Sequence, residues 1–232
     1  MAMPDKGRQN GNVMVINFKN YEESTRGNAL PLAKLAEAVA KAENRRIIIA
    51  VNNVELAQIA SKVGIPVYAQ HSDHEEFGKG TGKILPEVIK YHGAKGTLLN
   101  HAEFKLTNEV LERCIARAKG MDLEVLACAE TVKRAERIAK MRVKPDMIAI
   151  EPPELIGGDV SVSTANPEIV RETVQRIKRI APGIMVLCGA GIRTRQDVET
   201  AIRLGTGGVL LASGVVKAAD KEKTITELAR GL

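Results

Sequence analysis

The chain has 232 residues, 44% of them hydrophobic and 27% charged, which is enough for one sizeable core. Aromatic residues make up only 3% and Trp is absent, so that core must be built from Ile, Val, Leu and Ala. The net charge of +6 suits an anionic ligand, but the bases alternate with acids along helical stretches and stacking aromatics are nearly lacking, which argues against a nucleic-acid partner.

Residues 1–12 (MAMPDKGRQNGN) are polar, carry Pro and Gly, and read as a flexible leader ahead of the folded domain. No signal-peptide pattern opens the chain, and no apolar run approaches the length of a membrane span. From Val13 onward one unit repeats: a short β-branched run, a loop, then a longer stretch with helical spacing. The runs predict strands at Val13–Asn17, Ile47–Val51, Pro66–Gln70, Thr97–Asn100, Glu124–Cys128, Met147–Ile150, Met185–Gly189 and Val209–Ala212. Helices are expected over Pro31–Ala42, Glu55–Val63, Leu85–Tyr91, Asn108–Gly120, Val132–Met141, Pro167–Ala181, Arg195–Leu204 and Lys223–Arg230. Asn166-Pro167 has the form of an N-cap with proline at the first helical position, and Thr194 with Asp197 resembles a capping box. Gly64, Gly93, Gly120 and Gly205 fall where helix C-caps are wanted.

Strand–helix units of this number, with no linker or change of composition between them, predict an α/β fold: a closed (β/α)8 TIM barrel spanning 13–232 as a single domain. An open doubly wound sheet is the alternative, although no Gly-x-Gly-x-x-Gly opens the first helix as the Rossmann form requires. Cys114, Cys128 and Cys188 are odd in number and widely spaced, forming neither a zinc pattern nor a disulfide framework. A reducing cytoplasm fits them, with Cys128 and Cys188 as small core hydrophobes.

The stretch from Asp146 to Gly158 runs from a buried strand into a carboxylate, Glu151, followed by Pro152-Pro153 and Gly157-Gly158. The prolines stiffen one end of the loop and the glycines free the other, so the stretch reads as a base followed by a lid. Closure of the barrel brings the other strand ends into the same basin. These are Asn17-Phe18-Lys19, Asn100-His101-Ala102-Glu103, Gly189-Ala190-Gly191 and Ala212-Ser213-Gly214. They supply a cation, an imidazole and two small-residue loops after strands seven and eight, where barrels hold phosphate with backbone N–H groups. Two further stretches mimic other chemistries. Gly78 to Lys83 resembles a nucleotide-binding loop, but Phe77 stands where its first glycine belongs and Ile84 where Ser or Thr is needed. His71-Ser72-Asp73-His74-Glu75-Glu76 has metal-ligating residue types, yet a contiguous polar loop rarely forms a closed tetrahedral site.

Over Val13–Leu232 the sequence resembles the triosephosphate isomerase family. The resemblance rests on Asn17-Phe18-Lys19, Gln70, Thr81-Gly82, Asn100-His101-Ala102-Glu103, Ile150-Glu151-Pro152, Ile156-Gly157, Gly191 and Gly208 to Gly214. The lid has a second proline where the common form has an aromatic, Ala212-Ser213 replace paired glycines, and the chain is short. In these it is similar to the compact archaeal branch. The resemblance implies interconversion of glyceraldehyde 3-phosphate and dihydroxyacetone phosphate through an enediolate, in glycolysis and gluconeogenesis, with neither metal nor organic cofactor. It implies Glu151 as base, neutral His101 as electrophile with its pKa depressed by the helix that follows, and Lys19 as electrostatic stabiliser. Asn17 would orient Lys19, and Glu103 would hold the network beneath it. Asn17, Phe18, Lys19, Ile156, Gly157, Gly191, Ala212 and Ser213 would contact substrate and phosphate. A homo-oligomer is implied, a tetramer before a dimer, with the Thr81-Gly82 loop entering the neighbouring subunit's site. Two other activities fit a phosphate-binding barrel: a Schiff-base aldolase using Lys19, and a sugar-phosphate sensor without turnover.

Overall fold

A computed structural model describes residues 11–152 and 161–232, with Val162 and Thr164 described by backbone alone. The strands are β1 (Val13–Asn17), β2 (Arg46–Val51), β3 (Val67–Ala69), β4 (Gly96–Leu99), β5 (Glu124–Ala129), β6 (Met147–Ile150), β7 (Met185–Cys188) and β8 (Gly208–Leu211). Each pairs in parallel with the next, and β8 returns to β1 through Val13↔Gly208 and Ile16↔Leu211. That last pairing closes the barrel and removes the open-sheet alternative.

Helices lie outside the strands: α1 (Ala29–Ala42), α2 (Leu56–Ala60), α3 (Pro86–Tyr91), α4 (Asn108–Gly120), α5 (Val132–Lys140), α6 (Val162–Ala165), α7 (Pro167–Ile180), α8 (Arg195–Arg203), α9 (Ser213–Val216) and α10 (Lys221–Arg230). Among the described residues, none of them is long and apolar enough to cross a membrane. Two single-turn 3-10 segments, Glu22–Ser24 and Arg26–Asn28, precede α1. Neither these nor the one-turn helices α6 and α9 are expected from the sequence, because a single turn carries no apolar period to read. Helix α1 starts at Ala29, so Pro31 sits in the first turn, where its missing N–H has no intrahelical role.

The expected capping box is present in full. Thr194 accepts from the Asp197 N–H, and the Asp197 carboxylate accepts from the Thr194 N–H at 2.9 Å. Asn166 stands at the N-cap of α7 but makes no capping hydrogen bond with its side chain. Gly93 and Gly205 take the left-handed conformation expected of them; past α4 that role passes from Gly120 to Asp122, at φ +53°.

Strand alternation divides the apolar residues between two cores. Val13, Val15, Ile48, Ala50, Tyr68, Leu98, Leu126, Met147, Ala149, Leu187 and Leu210 fill the barrel interior with Cys128. Met14, Ile16, Ile47, Ile49, Val125, Ala127, Ile148 and Ile150 face the helices and join a larger layer with residues such as Leu32, Leu111, Ile138 and Ile177. Cys114, Cys128 and Cys188 are all buried and unbridged.

Closure itself leans on Gly208. Its φ is +151°, and a Cβ there would meet the Val13 carbonyl oxygen at 2.0 Å. Replacement by Ala must therefore move backbone at the β1–β8 seam. Gly208→Ala is expected to destabilise by at least about 2 kcal/mol in urea unfolding followed by circular dichroism. Gly183→Ala, whose Cβ would meet nothing within 4 Å, should stay within about 0.5 kcal/mol of the parent. Equal stability of the two variants would show that the seam tolerates a methyl group.

Candidate active site

The inward parity of the strands selects the residues of the barrel mouth. Continuing inward from Val15, Tyr68, Leu98, Ala149, Leu187 and Leu210 by one alternation gives Asn17, Gln70, Asn100, Glu151, Gly189 and Ala212. A cavity opens there, lined by Asn17, Lys19, His101 and Glu151. The loops after β7 and β8 line it too, including Gly191, Ala212 and Ser213.

Glu151 is 3% exposed. Its N–H donates to the Ala129 carbonyl at 2.8 Å, which ties the end of β6 to β5. The Cys128 thiol lies close enough to its carboxylate to favour the charged form. Its Oε2 has no hydrogen-bond partner among the described residues. Gly189 is the neighbour that makes room, since a Cβ there would lie 2.4 Å from the Glu151 Cγ. Burial pushes the carboxyl up to about 7, with Cys128 and Lys19 pulling the other way and Glu103 adding to the rise.

His101 Nε2 lies 3.8 Å from Glu151 Oε1. Its Nδ1 accepts from the Glu103 N–H at 3.2 Å, which leaves the proton of the neutral imidazole on Nε2, facing Glu151. Burial first, and Lys19 second, hold the imidazole below its ordinary pKa, with Glu103 opposing. The helix that the sequence places after His101, α4, begins only at Asn108, and its first turn is capped by Thr107. The depression therefore traces to burial and Lys19, in place of the helix expected to supply it.

Lys19 sits at φ +50°, a left-handed position for a residue with a side chain. The Asn17 Oδ1 accepts its N–H at 3.0 Å, and Gln70 Nε2 donates to its carbonyl at 3.0 Å. Its ammonium pairs with Glu103 Oε1 at 2.8 Å. Asn17 and Gln70 thus hold the Lys19 backbone between them. At the same cavity α9 begins at Ser213, so the N–H groups of Ser213 and Gly214 have no intrahelical acceptor. A Cβ at Gly214 would come 2.7 Å from the Ile192 carbonyl, so the loops after β7 and β8 meet only because that residue is glycine.

Phe18 is the exception among the expected substrate contacts. It is fully buried in the outer core, its N–H donates to the Ala50 carbonyl, and its carbonyl accepts from the Ser24 hydroxyl. Strand parity explains this, since Phe18 follows inward-facing Asn17 and points toward the helices. Ile156 and Gly157 lie outside the described residues, as does most of the lid. Cys128 and Arg193 border the site without having been singled out for it. Parity marks Cys128; nothing in the sequence marks Arg193.

The two mimicking stretches take other forms. Asp73 accepts from the Ile84 N–H at 2.8 Å and pairs with Lys83, so residues 71–84 close into a loop on β3, and no helix follows until Pro86. Among the described residues no group of three or more His, Cys, Asp or Glu side chains is placed to hold a metal ion.

A sequence model of the family described as Triosephosphate isomerase matches residues 12–229. The triosephosphate isomerase of Methanocaldococcus jannaschii is 46% identical over 93% of this chain and 98% of its own length. That of Methanothermus fervidus is 43% identical over 93% of this chain and 96% of its own, and that of Archaeoglobus fulgidus 44% identical over the same shares.

The buried carboxyl links stability to pH. Because folding raises the pKa of Glu151, the folded chain holds that proton more tightly than the unfolded chain. Its contribution is fully present below the unfolded value of 4.5 and is lost as pH rises through about 7. Glu151→Gln keeps the shape and removes the titration. It is expected to exceed the parent in stability at pH 8 by on the order of 2 kcal/mol, the gap closing below pH 5 in urea unfolding. A gap that does not change with pH would contradict the raised pKa.

Proposed function

The chain belongs to the triosephosphate isomerase family, and we propose from the geometry of its barrel mouth how Glu151, His101 and Lys19 divide the isomerisation between them. The reaction is the interconversion of glyceraldehyde 3-phosphate and dihydroxyacetone phosphate. The observation that carries the assignment is the pairing of a buried carboxylate with an imidazole Nε2 at 3.8 Å, at a cavity that also holds an anchored ammonium.

Glu151 takes a proton from the carbon beside the substrate carbonyl and returns it to the neighbouring carbon. Its Oε2, lacking any other partner among the described residues, is the acceptor. His101 donates from Nε2 to the carbonyl oxygen as negative charge grows there, the base–imidazole arrangement established for this family. Lys19 supplies fixed positive charge to the same oxygen and to the phosphate, with no proton moved. Its ion pair with Glu103 suits that role better than imine formation, which sets the aldolase reading aside. The phosphate lies against the backbone N–H groups around Gly191 and at Ala212 and Ser213. Exclusion of water from the cavity protects an enediolate otherwise prone to lose phosphate.

Glu151→Gln is expected to lower kcat about 10⁴-fold and His101→Gln about 10²-fold in a coupled assay of triose phosphate interconversion. The kcat/KM of the parent should fall tenfold per pH unit below about 7, as the base takes up its proton. Full turnover by Glu151→Gln would sink the assignment.

We further propose that the chain works in the cytoplasm as a homo-oligomer, a tetramer in preference to a dimer. Supporting this, Phe77 is 72% exposed on the loop between β3 and α3, which also carries Thr81 and Gly82. Val54, 92% exposed, and Phe104, 57% exposed, flank a second opening beside Lys19 and His101. An apolar loop tip beside an apolar-rimmed opening fits a second copy of the same chain. Sedimentation of the parent should give a species larger than a monomer, and Phe77→Glu should shift it toward monomer with a loss of kcat. A monomeric parent would refute the assembly and leave the chemistry standing.

A further inference from the structure

Strand parity creates a difficulty at His101. Along β4, Leu98 faces inward and Leu99 outward, so a strand continued to residue 101 would aim His101 at the helices. The chain avoids this at Asn100, which takes φ +58° and turns the next residue back toward the cavity. Asn is among the few residues that adopt that conformation at low cost, yet it still needs support to hold it. Asn100 is 4% exposed, and its side chain is bonded through both Nδ2 and Oδ1. Its Nδ2 donates to the Cys128 carbonyl at 2.8 Å, while its Oδ1 accepts from the Leu106 N–H at 2.9 Å and from the Arg134 guanidinium at 3.2 Å.

Arg134 reaches across from α5. Besides Asn100, its guanidinium donates to the Leu106 carbonyl at 2.8 Å and to the Asn108 side chain. One planar, permanently charged group thus joins the end of β4, the far side of the 101–107 loop and the first residue of α4. The Cys128 carbonyl held by Asn100 lies next to Ala129, whose carbonyl accepts the Glu151 N–H. The same set of bonds therefore fixes the His101 turn relative to the strand that carries the base.

We propose that Arg134 is a positioning residue for the isomerisation, acting through Asn100 to hold the turn that aims His101 Nε2 at the reacting carbonyl. Arg134 touches neither substrate nor base. It enters the reaction only through His101, so the proposal rests on His101 being the electrophile.

A double-mutant cycle tests it in the full-length protein, with triose phosphate interconversion as the assay. Arg134→Ala is expected to lower kcat about tenfold while KM stays within twofold, because the phosphate grip lies on the loops after β7 and β8 and not on the β4–α4 loop that Arg134 holds. In a His101→Gln background the same replacement should change kcat by less than twofold, since no imidazole remains to be aimed. Arg134→Lys keeps the charge but not the fork, and should fall between Ala and the parent. It also carries the cycle if the Ala variant does not fold. An equal fall in both backgrounds would mean a general structural role and overturn the proposal, as would no fall in either. If His101→Gln alone leaves turnover intact, the electrophile assignment fails instead, and the two failures are told apart.

Discussion

A carboxylate taken out of water is the costliest feature of this fold, and the barrel mouth is organised around tolerating it. Glu151 continues the inward parity of a strand already packed on both faces, so its side chain has nowhere to go but over the closed interior. Gly189 leaves the space it fills, and Cys128, one strand away in the register that pairs it with Ala149, offers only a weak thiol donor. A strong donor there would stabilise the anion and lower its basicity; a purely apolar neighbour would leave the carboxyl still harder to ionise. The thiol lies between those extremes. It fits the base role proposed for Glu151, ionised near neutral pH yet still binding a proton well.

Keeping that base available requires that nearby cations do not collapse onto it. Lys19 is close enough to influence both Glu151 and His101, but Glu103 engages its ammonium and the positive φ of its backbone is stabilised by Asn17 and Gln70. Asn100 shows the same pattern, a left-handed turn whose side chain is bonded through both its amide nitrogen and its oxygen. Each such turn stores strain of order 1 kcal/mol. At Asn100 the strained residue stands where strand parity alone would point the next side chain, His101, the wrong way. The rigid, closed scaffold lets the strain persist, because neither turn can relax without breaking bonds to an adjacent strand.

These turns mark the boundary of what the sequence reveals. The strands are legible because each is a short β-branched run ended by a polar or small residue; β1 and β6 match their expected limits. Glu151, Lys19, His101 and Asn17 are legible as strand-end groups because a parallel barrel sends all such ends to one mouth. Phe18 illustrates the limit of reading by adjacency, since it lies between two site residues and yet points into the outer core. Arg134 illustrates the limit of reading by composition. On α5 it is one of several bases on an amphipathic helix, and nothing local distinguishes it from Arg137 or Lys140. Its partners, Asn100 and Leu106, are remote in sequence, and only the folded packing of α5 beside the β4–α4 loop brings them together.

The opposite displacements of the two central pKa values have a common origin. Burial raises the Glu151 carboxyl and lowers the His101 imidazole, because in each case it penalises the charged form. At 3.8 Å a charged pair would be the obvious alternative state, and it would be inert: the base would be neutralised and the imidazolium would be too strong an acid to leave the enediolate oxygen free to re-form a carbonyl. The Glu103 N–H opposes that state further by donating to Nδ1, which must lose this bond if the ring takes a second proton. Geometry and desolvation thus favour the same protonation state. The imidazole remains a neutral donor, the carboxyl retains one oxygen without a partner among the described residues, and the permanent charge of Lys19 is held aside until a substrate anion arrives to share it.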